Sequence, residues 1–177
     1  MPKIIDSLRE NLLREARVML LKDGGRALTI RNVASACHVA VGTVYNYFKS
    51  KDELMAFVML EDWQRGVAAM RSGAENAPDV LRGLRSIYDG LLAFENLYRE
   101  AWRHYAANHD AVTQIDQRHV MVIDQLSGMV AALLTRHGAL WTTYLPTFLS
   151  ETLLSAAGRG EGSFEELIPI LTRLIMK

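Results

Sequence analysis

The stretch Val39-Ala-Val-Gly-Thr-Val-Tyr-Asn-Tyr-Phe-Lys-Ser-Lys51 decides how the rest of the chain is read. Its segment from Gly42 to Phe48 is too short for a helix that stands alone. Val44 and Phe48 are four apart, so a helix over 42–48 points both into a core. Thr43 and Tyr47 have the same spacing and form a neighbouring stripe, with Asn46 beside it. An apolar back and a Thr/Asn/Tyr front suit hydrogen bonding to phosphates and base edges. The plainer reading is a short connector helix with exposed polar residues. The flanking sequence separates the two.

Upstream, Ile5, Leu8, Leu12, Ala16 and Leu20 recur at helical spacing and predict a helix over about 4–21. Arg9, Glu10, Arg14 and Arg17 take its other side, and Gly24-Gly25 ends it. Thr29 reads as the N-cap of a short helix over about 30–37, with Ile30, Val33, Ala34 and Cys37 inward. A tight turn then leads to helix 42–48. A long leading helix and two short ones around a tight turn make a helix-turn-helix. Its second short helix enters the major groove. Ser50-Lys-Asp-Glu53 is a capping box, with the Ser50 side chain on the Glu53 N–H and Glu53 reaching back to Ser50. A helix therefore runs from 51 to about 71. Lys51 in its first turn opposes the helix dipole, which points to a partner outside the fold, such as a phosphate.

Downstream the pattern stays helical. A loop is expected from Ser72 to Ala77, then helices over about 79–94, 95–109, 111–136, 146–157 and 164–176. Asn108-His-Asp110, His137-Gly138 and Gly158-Arg-Gly-Glu-Gly162 supply the breaks. Ser163-Phe-Glu-Glu166 is a second capping box, and Pro169 is placed to bend the last helix. No segment alternates as a strand does. The expected fold class is all-α, with eight or nine helices. Residues 1–50 form a three-helix DNA-binding head, and residues 51–177 a helical domain.

Half of the 177 residues are apolar and 23 % are charged, enough for a sizeable core. No run approaches the roughly 18 apolar residues of a membrane span. Met1-Pro-Lys-Ile-Ile-Asp6 has no apolar stretch long enough for a signal peptide, so a cytoplasmic protein is expected. Cys37 is the single cysteine, which excludes an internal disulfide and suits a reducing compartment. The net charge of zero hides an asymmetry. Residues 1–55 hold nine Lys/Arg against six Asp/Glu, and the remainder eleven against fourteen. A mildly basic N-terminal segment is compatible with nucleic-acid binding. Enzyme chemistry finds no foothold. His38, His104, His109, His119 and His137 make no His-x-x-x-His or Glu-x-x-His pair. Cys37, expected to be buried, has no evident base, and no Gly-rich phosphate loop is present. No catalytic residue, metal site or cofactor is expected.

From Thr29 to Leu54 the sequence resembles the DNA-binding domain of the tetracycline-repressor-like (TetR) family of bacterial transcription regulators. The family pattern is met by Thr29, Val33, Ala34, Val39, Gly42, Thr43, Val44, Tyr45, Tyr47, Phe48, Lys51 and Leu54. With the leading helix, the resemblance covers roughly residues 4–55. The chain departs from the pattern at Cys37, His38 and Ala40, where Ala, Gly and Ser are usual. His38 stands where glycine relieves a positive φ. Ala40 lacks the hydroxyl that caps the recognition helix or touches a phosphate.

The resemblance implies a homodimer on double-stranded operator DNA. Thr29, Thr43, Tyr47 and Lys51 would hold phosphates, while Val41, Gly42, Asn46 and Tyr45 would approach base edges. Gly42 is glycine either because its backbone nears DNA or because it is the helix N-cap. Tyr45 either reads DNA or packs against the first helix, and Asn46 either bonds an adenine or is solvated. The last two helices would pair with their symmetry mates, with Ser155-Ala-Ala-Gly158 allowing close approach or simply packing. A small, largely apolar effector would release the DNA, making the chain a repressor. Trp63, Tyr88, Tyr98, Trp102, Tyr105, Met121, Met129 and Trp141 either line its pocket or fill the core. His104, His119 and Asp124 would be its polar partners. The competing reading is a helical protein that keeps the head but binds a partner protein instead of an operator.

Overall fold

The computed structural model describes residues 6–22, 25–106, 112–139, 141–159 and 163–175, without the side chains of 6, 102–106 and 112–118. The first helix, α1 (Asp6–Lys22), buries Leu12, Leu13, Ala16 and Leu20. It is followed by Gly25 at φ 84°. α2 (Ile30–Ala36) starts on Thr29, whose hydroxyl accepts the Asn32 N–H at 3.0 Å as the sequence predicts. Asn32 also donates its amide to the Ala27 carbonyl at 2.8 Å, which fixes the approach to the cap. α2 buries Ile30, Val33 and Ala34. Cys37 is half-buried at its C-cap rather than buried, because the helix has ended there.

The turn after α2 is a Schellman motif. His38 stands in the left-handed region at φ 55°. Its N–H bonds the Ser35 carbonyl, and the Val39 N–H reaches back to Ala34 at 2.9 Å. α3 (Val41–Tyr45) is shorter than the predicted 42–48. Asn46 and Tyr47 close it with i→i+3 bonds to Thr43 and Val44, a tighter winding, and Phe48 donates to the same Val44 carbonyl. Val44 and Phe48 are nevertheless fully buried, as their spacing requires.

α4 (Lys51–Glu75) opens on the predicted box, with Ser50 Oγ accepting the Glu53 N–H at 3.0 Å. The Glu53 carboxylate accepts from the Lys49 N–H, one residue before the expected Ser50. The helix continues through the predicted loop at 72–75. Asn76 then closes it, donating its side chain to the Ser72 carbonyl at 2.8 Å. α5 (Val80–Ala106) is capped by Asp79, which accepts the Arg82 N–H at 2.8 Å. The two helices expected over 79–94 and 95–109 are thus one, since no Gly or Pro separates Phe94 from Glu95. The predicted break at Asn108-His-Asp110 lies outside the described residues. α6 (Val112–Arg136) ends at Gly138 with φ 66°, and α7 (Leu145–Arg159) and α8 (Phe164–Ile175) complete the chain. Among the described residues there are eight helices and no strand.

The chain forms two compact units, 1–64 with 97–109, and 65–96 with 110–177. This differs from the division expected at residue 50: the start of α4 and the end of α5 belong with the helix-turn-helix. The first unit has a core of Leu12, Leu20, Leu28, Val33, Val44, Phe48 and Leu54. In the second, Leu84, Ile87, Leu126, Leu134, Leu149 and Leu153 are fully buried or nearly so. Phe164 of α8 packs on Tyr88 with ring centroids 5.5 Å apart, beneath the Arg85 guanidinium at 4.6 Å. Arg85 also pairs with Glu165 and holds that carboxyl below its usual range.

Glycines set the helix spacing in this unit. A Cβ at Gly83 of α5 would lie 2.4 Å from Leu133 of α6, a buried side chain with little room to yield. A Cβ at Gly66 of α4 would meet nothing within 4 Å. Gly66→Ala should therefore stabilise the fold by up to about 1 kcal/mol through helix propensity. Gly83→Ala should destabilise it by roughly 1–3 kcal/mol through overpacking, despite the same propensity gain. Urea unfolding of both variants measures the opposite signs.

Candidate nucleic-acid interface

The front of α3 is built by what its back requires. Burial of Val44 turns positions 41, 42, 45 and 46 outward. Val41 is 40 % exposed and Tyr45 52 %, and Gly42 and Asn46 are exposed with them. Tyr45 thus presents about half of its surface to solvent. Thr43 and Tyr47 are half-buried at the edge of this surface, while Thr29 and Lys51 stand exposed at either end of the motif.

Each polar group has a definable state. The Thr29 oxygen accepts the Asn32 N–H, which leaves its hydroxyl proton to donate outward. Lys51 was expected to find its partner outside the fold, but its ammonium donates to the Gly25 carbonyl at 3.2 Å. That bond draws the cation towards the turn after α1. An ammonium has three donors, so the contact does not exhaust it. Ala40 is the N-cap of α3 and makes no side-chain cap bond, as its missing hydroxyl implies.

Gly42 is not the N-cap, because the helix has already begun at Val41. Its φ is not positive, and a Cβ built there meets nothing within 4 Å. Neither backbone conformation nor internal packing demands glycine at this position.

Side chains that the sequence left on the solvent face brace this surface. The Arg9 guanidinium lies 4.8 Å from the Phe57 ring centroid and 5.7 Å from that of Phe48. Phe48 and Phe57 meet edge to face at 5.7 Å. α1, the end of the recognition segment and α4 are thereby joined by a cation on two aromatic rings. Further along, Arg17 Nε donates to Asp62 Oδ2 at 2.8 Å, and the Tyr98 hydroxyl donates to the same oxygen. Asp62 is 7 % exposed and Tyr98 0 %. Burial and the adjacent carboxylate push the Tyr98 phenol well above its ordinary range, so it remains a donor. The one available sequence signal was the acidic pair Glu61-Asp62 between the apolar run Met55–Leu60 and Trp63.

The effector candidates are scattered. Trp63 and Tyr98 are buried in the first unit, and Tyr98 is engaged with Asp62. Tyr88 is buried in the second unit against Phe164. Met121 and Trp141 are exposed, and the side chains of Trp102, His104 and Tyr105 lie outside the description. His119 pairs with Glu151 at 3.0 Å. Within the second unit, α4 and α6 enclose a cleft of about 510 Å³. Met129 and Leu133 line it, with Arg71, Glu75, Asp124 and Arg136 also present. Of the eight predicted lining residues, Met129 reaches it; the other described ones do not. Among the described residues, no group of three His, Cys, Asp or Glu side chains could hold a metal ion. No described helix is long and apolar enough to cross a membrane.

Residues 12–58, which carry this surface, match the family model of bacterial regulatory proteins of the tetR family. Over these residues the chain is similar to the TetR family. It is 28 % identical over 67 residues to the HTH-type transcriptional regulator UidR of Escherichia coli, covering 38 % of this chain and 34 % of that one. It is 34 % identical over 62 residues to the HTH-type transcriptional repressor KstR2 of Mycolicibacterium smegmatis, covering 34 % and 30 %. The match thus spans about a third of the length of these relatives. A TetR-family transcriptional regulator from Haemophilus influenzae shares the fold with a TM-score of 0.57 at 17 % identity, over 97 % of this chain and 98 % of that one. A transcriptional regulator from Rhodococcus sp. does so with a TM-score of 0.62 at 20 % identity, over 93 % and 86 %. At these identities the structural likeness is one of fold.

Within the matched residues, His38 is visible as strain, since it holds a positive φ of 55° without being glycine. The left-handed conformation costs a non-glycine residue roughly 1–2 kcal/mol. The extra chain entropy of glycine costs roughly 0.5–1 kcal/mol. The first effect is the larger, so His38→Gly should stabilise the fold by about 0.5–1 kcal/mol. Equilibrium urea unfolding checks this; a loss of stability would mean that the imidazole itself makes a stabilising contact.

Proposed function

We propose that the chain is a bacterial transcription regulator, acting as a repressor that binds operator DNA as a homodimer and is released by a small effector. The observation that carries the DNA reading is Gly42: its glycine is unexplained by the fold, at the centre of an exposed surface on α3. A backbone that must come close to another body has a use for a missing Cβ. Around it, Val41 offers a methyl surface to a thymine, and Asn46 offers an amide to an adenine edge. Gly42 and Tyr45 complete the base-facing set. Thr29, Thr43, Tyr47 and Lys51 hold phosphates and fix the register. The family match of residues 12–58, and relatives named as regulators, support a regulatory protein rather than an enzyme.

Dimerisation is supported by the outer faces of α7 and α8. Phe148 is 54 % exposed and Ile170 57 %, and Leu174 is exposed beside them in sequence register. Ser155 and Gly158 are exposed on α7, and Gly158 has open space where a Cβ would be. Small exposed residues flanked by large apolar ones suit close pairing with a second copy. The effector reading rests on the cleft between α4 and α6. Met129 and Leu133 favour a largely apolar molecule, oriented by Asp124 or the neighbouring arginines. Bound effector would act by favouring one separation of the two α3 helices over another. The setting for such a regulator is the cytoplasm.

Selection from a library of genomic duplex fragments tests the reading. Wild type should enrich a discrete sequence. Gly42→Ala should keep or slightly raise its unfolding midpoint, yet lose roughly tenfold or more in affinity, equivalent to about 1.4 kcal/mol. Failure to enrich any duplex would favour the partner-binding alternative, which the exposed Val41 and Tyr45 would also suit.

A further inference from the structure

The cleft between α4 and α6 lies wholly within the second unit. The α6 residues that line it run from Asp124 to Arg136, a distance of about 18 Å along the helix axis. The carboxylate stands at one end of that span and the guanidinium at the other, both exposed. Between them the floor is apolar, with Met129 and Leu133 buried. Leu133 is held from behind, since a Cβ at Gly83 of α5 would lie 2.4 Å from it. On the α4 side, Arg71 and Glu75 are one turn apart and add no net charge. Among the described residues, no ion pair or side-chain hydrogen bond engages any of these four charged groups. Gly128 also lines the cleft. Its φ is not positive, and a Cβ built there meets nothing within 4 Å. A glycine inside a helix weakens it relative to alanine, and neither conformation nor packing offsets that here. The missing side chain leaves the middle of the cleft open.

We infer that this cleft takes an extended amphoteric molecule: an apolar chain with an ammonium group at one end and a carboxylate at the other. This rests on the effector reading proposed above and names the class of that effector. The ammonium donates to Asp124, and the Arg136 guanidinium donates to the carboxylate. Asp124 and Arg136 are too far apart to neutralise one another, so each remains open to a ligand. The chain between the two ends lies over Met129 and Leu133 and passes Gly128, where a side chain would obstruct it. A volume of about 510 Å³ over a span of that length is narrow, and suits one extended chain better than a broad ring system. A neutral chain gains the apolar floor and neither end. A simple acid or amine gains one end, and so does an amino acid whose two groups are close together. Two charged ends at a fixed separation therefore give a selectivity that an apolar floor alone does not supply.

Calorimetric titration of the full chain with 12-aminododecanoic acid tests this, beside dodecanoic acid, dodecylamine, dodecanol and 6-aminohexanoic acid. The twelve-carbon amino acid should bind roughly tenfold tighter than the acid or the amine, the scale of a hydrogen bond to a charged group. The six-carbon amino acid, too short to reach both ends, should lose that advantage. Asp124→Asn should erase the preference over dodecanoic acid, and Arg136→Gln the preference over dodecylamine. Gly128→Leu should melt no lower than wild type by circular dichroism, yet bind none of the series. Dodecanol binding as tightly as the twelve-carbon amino acid, with both abolished by Gly128→Leu, would overturn the amphoteric class while an apolar effector in the cleft still stood. Binding that survives Gly128→Leu, or no binding of any twelve-carbon probe, would overturn the inference and remove the cleft from the effector reading as well.

Discussion

Val44 and Phe48 have no exposure to solvent, and the exposed front of α3 depends on that burial. Five residues of helix cannot fold on local hydrogen bonds, because nucleation costs more than so few bonds return. α3 exists because these two side chains enter a core made by Leu12, Leu20, Leu28, Val33 and Leu54. The same geometry that turns Val44 inward turns Val41, Gly42, Tyr45 and Asn46 outward. Surface and core are thus one arrangement. A change that loosens the core around Phe48 would blur the surface as well as lower stability.

The braces around this core explain how so small an element can be held in direction. Arg9 lies over Phe48 and Phe57, and Ser50 and Glu53 fix where α4 begins. Lys51 ties the same start to the Gly25 carbonyl. Each tie is modest by itself. Together they join α1, the end of the recognition segment and the first turn of α4, so that the orientation of α3 follows the orientation of α4. The Arg17–Asp62–Tyr98 cluster adds α5 to this body.

Much of the head was legible in the sequence because its signals are local. The Thr29 cap, the Ser50 box and the inward pair Val44/Phe48 are all set by residues three or four apart. His38 was legible for the same reason: a Schellman turn needs a left-handed residue at one position. The lengths of α3 and α5 were not legible. Nothing in Asn46-Tyr47 announces a tighter winding, and the division between helices 79–94 and 95–109 rested on no helix-breaking residue. Lys51 looked like a cation without an internal partner, since Gly25 is far from it in sequence. The Asp62 cluster escaped for that reason too: its partners lie 45 and 36 residues away, and no periodicity links them. The effector residues failed to gather because aromatic and Met side chains at helical spacing serve a core as readily as a pocket. Tyr88 on Phe164 is an instance.

If α3 is the element that meets DNA, contact with a selected duplex must be felt there in the backbone itself. Amide hydrogen exchange of the full chain, with and without that duplex, reports this residue by residue. Slowed exchange concentrated over residues 29–51, and strongest around Gly42 to Asn46, is the expected result. Tight duplex binding that leaves exchange over 29–51 unchanged, with new protection elsewhere, would contradict it.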